Sequence, residues 1–221
     1  MNQMKSKLIN AIGRNLRKPE ATLLGRFVKK NFEKKNGFIE LEAVRLCDIQ
    51  PNHQVLEVGF GPGIGVQAAY NIVKGGEGTI HGVDFSEEMV RIATKRLEKG
   101  ISDGKVKLIH GDVSSMPFLQ SNTFNRIFHC NCYYFWPDMS KAMNELHRVM
   151  KPGGVMVTAM NYERVKHIQA EGFFAKVGDP TLDRYLSALD SCGFIEVETK
   201  KFKHEKTGDN LVAILAKKSE I

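Results

Sequence analysis

The chain has no long apolar run. No window of its 221 residues approaches the roughly eighteen uncharged hydrophobic positions that a membrane-spanning helix needs. Cysteine is scarce. Cys47, Cys130, Cys132 and Cys192 form no CxxC pair and no dense framework, which excludes a disulfide scaffold and points to a reducing compartment. No zinc-ligand spacing recurs, so no metal is expected. Internal repeats and low-complexity tracts are absent. With 42% hydrophobic and 26% charged residues, wholesale disorder is excluded as well. What remains is one domain of ordinary size, long enough to bury a real core.

Acids are thin at one end. Residues 1–50 carry eleven lysines and arginines against five acids, nearly the whole of the net charge of +7. Such a segment suits RNA, an anionic membrane surface or an acidic substrate, but a helix with a solvated basic face is the simplest reading. No apolar stretch follows the first lysines, so no secretory signal is expected. Residues 1–19 lack acids, and Leu8, Ile9, Ile12 and Leu16 share a helical face, as in a mitochondrial presequence. The expected location is the cytoplasm, with the mitochondrion as the alternative.

Periodicity predicts basic amphipathic helices over 4–18 and 21–35, broken at Pro19, and a third helix over 38–47. Residues 1–50 thus read as a helical cap, and 51–221 as the core. From residue 54 strands and helices alternate. Strands are expected at 54–58, 79–83, 106–109, 124–129 and 155–159. Helices are expected from Gly65 to about Val73, over 86–99 with Ser86 as N-cap, over 138–149, and over 182–191 with Thr181 as N-cap. Lys151-Pro152-Gly153-Gly154 reads as a turn. Strands 194–199 and 211–216 have no helix between them and are expected to pair antiparallel. Repeated β-α units imply a mostly parallel sheet with helices on both faces, and a ligand at the carboxyl ends of its strands.

The strongest motif closes the first strand. Glu57 is followed by Gly59, Gly61 and Gly63 at alternate positions. Glycines let a backbone turn sharply and approach a ligand without Cβ clashes. A dinucleotide fingerprint, G-x-G-x-x-G/A, fits only from Gly63 through Gly65 to Ala68, several residues beyond the strand. The form E-x-G-x-G-x-G fits without slippage.

This segment resembles motif I of the class I S-adenosylmethionine-dependent methyltransferases, most closely the ubiquinone/menaquinone-methyltransferase-like set of small-molecule enzymes. Four further segments agree in order: His81–Ser86, Gly111–Phe118, Phe124–Asp138 and the Lys151–Gly154 turn. The resemblance implies an α/β fold with a Rossmann-like, seven-stranded, mostly parallel sheet and an antiparallel last strand. It also implies S-adenosylmethionine as cofactor, S-adenosylhomocysteine as product, and a small-molecule methyl acceptor.

Residue by residue, the resemblance assigns Glu57 to the cofactor's methionine end, and Gly59, Phe60, Gly61 and Gly63 to cofactor binding. Asp84, 27 residues after Glu57, falls to the ribose hydroxyls, and Asp112 with Val113 to adenine. Phe85 and Met89 would wall the adenine pocket, and ordinary core packing explains them equally well. Asn131 is a candidate cofactor contact.

The run Tyr133-Tyr134-Phe135-Trp136 is the most distinctive, and suits an apolar, planar or cationic acceptor. Tyr133, Tyr134, Trp136, Asn161, Tyr162 and Phe27 are candidate acceptor contacts. Tyr134 and His129 are the candidate bases, should the acceptor have to lose a proton. The fourth-strand segment lacks the [Asn/Asp]-Pro-Pro-aromatic motif of enzymes that methylate adenine or glutamine amino groups. Cys130 and Cys132 would share a face of a continued strand, where a thiophilic acceptor or plain packing would account for them. Without an added recognition domain, a nucleic-acid or protein substrate ranks below a small molecule. A non-catalytic cofactor-binding protein and a nicotinamide oxidoreductase remain the other readings.

Overall fold

A computed structural model describes residues 37–171, 179–204 and 208–220. The helices expected over 4–18 and 21–35, with Phe27, lie outside the described residues. Residues 37–46 are helical (α1). The strands are β1 (Gln54–Val58), β2 (Thr79–Asp84), β3 (Val106–His110), β4 (Phe124–Cys130), β5 (Met150–Met160), β6 (Phe194–Lys203) and β7 (Asn210–Lys218). The further helices are α2 (Ile64–Val73), α3 (Glu87–Arg96), α4 (Glu98–Ser102), α5 (Met139–Val149), α6 (Tyr162–Ala170) and α7 (Leu182–Ser191).

The seven strands form one sheet in the order β3-β2-β1-β4-β5-β7-β6. The first five pair parallel, and β7 pairs antiparallel with both β5 and β6. The chain builds outward from β1 to β3, then crosses back to lay β4 on the other side of β1. That reversal leaves a crevice beyond the carboxyl ends of β1 and β4.

Strand side chains alternate between the two faces, each covered by its own core. Leu56, Ile127 and Met156 enter one cluster, and Val55, Phe128 and Val157 the other. The first is closed by the α5 stripe Met139, Ala142, Met143, Leu146 and Val149. The second receives Val66, Ala69 and Val73 of α2 together with Ile39, Ala43, Val44 and Cys47. The inward face of residues 39–47 is therefore packed into the core itself. Cys47 O also accepts Arg126 Nε of β4 at 2.7 Å.

Local chemistry explains most boundaries. Ser86 caps α3 by accepting from Met89 N, with Glu87 and Glu88 in the first turn. The helix expected to run on to residue 99 breaks at Leu97 instead. Gly100 then lies so close to β3 that a Cβ there would sit 2.7 Å from Val106. Asp138 caps α5. Thr181 makes no side-chain cap for α7. Asp179 Oδ1 turns the chain there by accepting Thr181 N at 2.9 Å. Gly193 closes α7 at φ 80°.

The Lys151–Gly154 segment is not a free turn. It bulges within β5, between the pairings Phe124–Met150 and Arg126–Val155, with Gly153 at φ 70°. Helix α6 was not expected. It buries only Val165, so its stripe is too faint to stand out, although Asn161 caps it by accepting Arg164 N at 3.0 Å.

Candidate active site

The loop after β1 needs its glycines for three different reasons. Gly59, Gly61 and Gly63 all have positive φ, at 67°, 52° and 82°. Gly59 packs against Cys132, whose Cβ would lie 2.9 Å from a Cβ at position 59. Gly61 faces open space, with no heavy atom within 4 Å of such a Cβ. Gly63 faces α3, where Ala93 Cβ would stand 3.0 Å away. The loop is tied to β2 twice: Gly59 N donates to Val83 O, and Gly61 N to Asp84 Oδ2, each at 2.8 Å.

Beyond this loop lies a cavity that is partly open to solvent. Gly59 and Gly61 line it, with Asp84, Phe85 and Met89 from the β2 side. Asp112 and Val113 line it after β3, and Asn131 and Trp136 after β4. These expected site residues are brought together by the carboxyl ends of four strands. Asp84 Oδ1 also accepts Ser86 N at 2.8 Å, and burial raises its pKa to about 6. Asp112 Oδ1 accepts the N–H and hydroxyl of Ser114 at 2.9 and 2.6 Å. Asn131 takes a left-handed backbone, φ 49°, that turns the chain out of β4.

Other expected residues lie outside the cavity wall. Phe60 is fully buried across β2, where a Cβ on Gly82 would come within 2.7 Å of its ring. Gly63 supports the loop from behind. Tyr133 is buried and donates to Pro180 O at 2.8 Å. Tyr134 is buried beside it, and burial lifts its phenol well above the ordinary range. Asn161 and Tyr162 begin α6, away from the lining. His129 is fully buried, with Nε2 2.8 Å from Tyr185 Oη and Nδ1 3.1 Å from Thr158 Oγ1. Burial depresses its pKa to about 3, so the ring is neutral and already bonded on both nitrogens.

Glu57 is 1% exposed and also absent from the wall. Burial, then the charges of Glu40 and Asp84, raise its pKa well above the usual carboxylate range. Its Oε2 has no hydrogen-bond partner among the described residues. The acid that does line the cavity is Glu40 of α1, whose Oε2 accepts Gly65 N at 2.9 Å in the first turn of α2.

Sequence reasoning passed over Glu40. Its one signal was an acid standing on the inward stripe with Ala43, Val44 and Cys47. Phe135 and Pro137 beside Trp136 were also missed as wall residues. Cys130 and Cys132 do meet at one cavity wall, as thiols whose pKa values burial holds high.

This donor set decides between the two cofactor classes. A diphosphate needs free N–H groups at the start of α2 and no nearby negative charge. Here the Gly65 and Gly61 amides are taken by Glu40 and Asp84, and Glu57 lies beneath. An adenosyl amino acid fits: hydroxyls and an ammonium suit carboxylates, and Phe85, Met89 and Val113 offer apolar walls to a purine.

Residues 55–154 match the methyltransferase domain family. Over that stretch this chain is similar to methyltransferase domains. It is 35% identical over 127 residues to the uncharacterized methyltransferase YdaC of Bacillus subtilis, covering 57% of this chain and 66% of that one. It is 33% identical over 116 residues to the demethylmenaquinone methyltransferase of Bacillus cereus, covering 52% and 48%. The methyltransferase match thus spans about half to two thirds of these relatives' length. The fold superposes with a TM-score of 0.69 and 18% identity on phosphoethanolamine N-methyltransferase 2 of Haemonchus contortus solved with S-adenosyl-L-methionine, covering 94% of this chain and 60% of that one. That likeness is one of fold, a seven-stranded sheet with an antiparallel β7.

Proposed function

We propose that this methyltransferase domain transfers a methyl group from S-adenosylmethionine to a small-molecule acceptor. The observation that carries the proposal is the carboxylate-ringed loop after β1, opening into a cavity with apolar walls. In this reading Asp84 receives the ribose hydroxyls, Asp112 the adenine amino group, and Phe85, Met89 and Val113 the purine faces. Gly61 leaves the space through which the amino-acid chain passes. The bound cofactor supplies an electrophilic methyl group on a sulfonium sulfur.

The acceptor side is formed by Phe135, Trp136 and Pro137, with Asn131, Cys130 and Cys132 beneath. Its task is to align the nucleophile behind the methyl group and to exclude water. His129 and Tyr134 offer no free base at this wall, so acceptors that attack without prior proton loss fit best. A role for the relatives' quinone and phosphoethanolamine acceptors is not needed for this reading. Four free cysteines are consistent with the cytoplasm. Among the described residues no helix is long and apolar enough to cross a membrane.

The test is incubation of the full chain with methyl-labelled S-adenosylmethionine and a metabolite extract. A low-molecular-weight product gaining one labelled methyl group is expected. Label found only in RNA or protein would overturn the small-molecule assignment.

A further inference from the structure

The cavity wall contains a carboxylate that lies outside the glycine-loop motif. Glu40 sits on α1 among buried neighbours, is itself 6% exposed, and yet reaches the cavity. Glu57, the acid of the motif, does not. It is shut behind the α2 backbone, where a Cβ on Gly65 would lie 2.5 Å from its Oε1. The two acids therefore stand one behind the other at the start of α2, Glu40 toward the space and Glu57 away from it.

Two carboxylates at this depth repel each other and are costly to desolvate together. A cation at the open end of the pair relieves that cost, whereas an anion adds to it. The unpartnered Glu57 Oε2 lies in the same acid pair. Burial and the Glu40 charge favour the protonated form of Glu57.

We infer that Glu40 is the residue that holds the ammonium group at the amino-acid end of the cofactor, with Glu57 a positioning residue behind it. The inference rests on the proposed cofactor and adds a binding residue contributed by α1. It makes the helix that precedes the sheet part of the cofactor site, so that cofactor affinity depends on how α1 is packed.

The experiment compares two probes on the full chain. S-adenosylhomocysteine carries the amino-acid end, and 5′-methylthioadenosine lacks it. Glu40→Gln retains an oxygen that accepts the Gly65 N–H but removes the charge. Its dissociation constant for S-adenosylhomocysteine is expected to rise about tenfold or more, the loss of a charge-assisted hydrogen bond, while that for 5′-methylthioadenosine stays within about threefold. Unchanged binding of both probes, or equal weakening of both, contradicts the inference. So does a larger selective loss in Glu57→Gln than in Glu40→Gln. Absence of S-adenosylhomocysteine binding to the unsubstituted chain would sink the cofactor reading itself, an outcome distinct from the others.

Discussion

Asp84 Oδ2 accepts the Gly61 N–H at 2.8 Å, fastening the glycine loop of β1 to the carboxyl end of β2. With Ser86 N on Oδ1, one buried carboxylate sets both the loop and the entry to α3. Burial raises its pKa from 3.8 to about 6 despite these bonds. The folded state therefore holds the proton more tightly than the unfolded state. This contribution to stability is present in full below about pH 4 and is lost as the pH rises through 6.

Asp84→Asn has no such titration. The stability of the wild type relative to Asp84→Asn is expected to fall by about 2 kcal/mol between pH 4 and pH 7. Urea denaturation of both proteins at the two pH values measures it. A constant difference would contradict the assignment of the raised pKa to this group.

The glycines separate folding from binding. Gly59→Ala combines a left-handed backbone with a Cβ 2.9 Å from Cys132, and is expected to cost about 3 kcal/mol of stability. Gly61→Ala has the same backbone penalty, about 1–2 kcal/mol, but no steric neighbour. Its methyl group projects into the space assigned to the cofactor. It is expected to fold and to lose S-adenosylhomocysteine binding by tenfold or more. Thermal melts with and without that ligand distinguish the two effects.

His129 is expected to act on stability and not on the pH profile of transfer. Its folded pKa is lowered from 6.5 to about 3 by burial, so its contribution is complete above 6.5 and is lost as the pH falls. Between pH 7 and pH 5 the wild type should lose about 2 kcal/mol relative to His129→Gln. This is opposite in sign to the Asp84 effect, so the two single variants resolve them. A transfer-rate inflection near pH 6.5 that disappears in His129→Gln would show that the ring titrates in the folded enzyme.

Trp136 lines the cavity on the side proposed for the acceptor, while its carbonyl accepts from Arg184 Nη2 at 2.9 Å. Trp136→Phe is expected to leave S-adenosylhomocysteine affinity within about threefold and to reduce methyl transfer by tenfold or more, read as labelled product per unit time. Equal losses in both would place Trp136 on the cofactor instead.

The sheet was legible because strand periodicity and turn glycines are local signals. Gln54–Val58 and Leu182–Ser191 occur at their expected bounds, and Gly193 stops its helix as expected. The cavity wall proposed for the cofactor was legible for a related reason: Gly59, Gly61, Asp84 and Asp112 follow strand ends, and parallel strands bring those ends together. The acceptor side was less so. Whether an aromatic in Tyr133–Trp136 faces the cavity or the core depends on the short 3₁₀ turn over Tyr133–Phe135, which buries both tyrosines. His129 looked like a base because its burial against Tyr185 and Thr158 joins segments far apart in the chain. Glu40 was hidden for the same reason, since only the packing of α1 on α2 gives it the cavity.

Isothermal titration of the full chain with S-adenosylhomocysteine and, separately, with NAD tests the central claim most directly. Saturable heat at one site per chain with the thioether and none with the dinucleotide is the expected result. Heat with NAD and none with S-adenosylhomocysteine would contradict it, because a diphosphate would then be tolerated beside Glu40, Glu57 and Asp84.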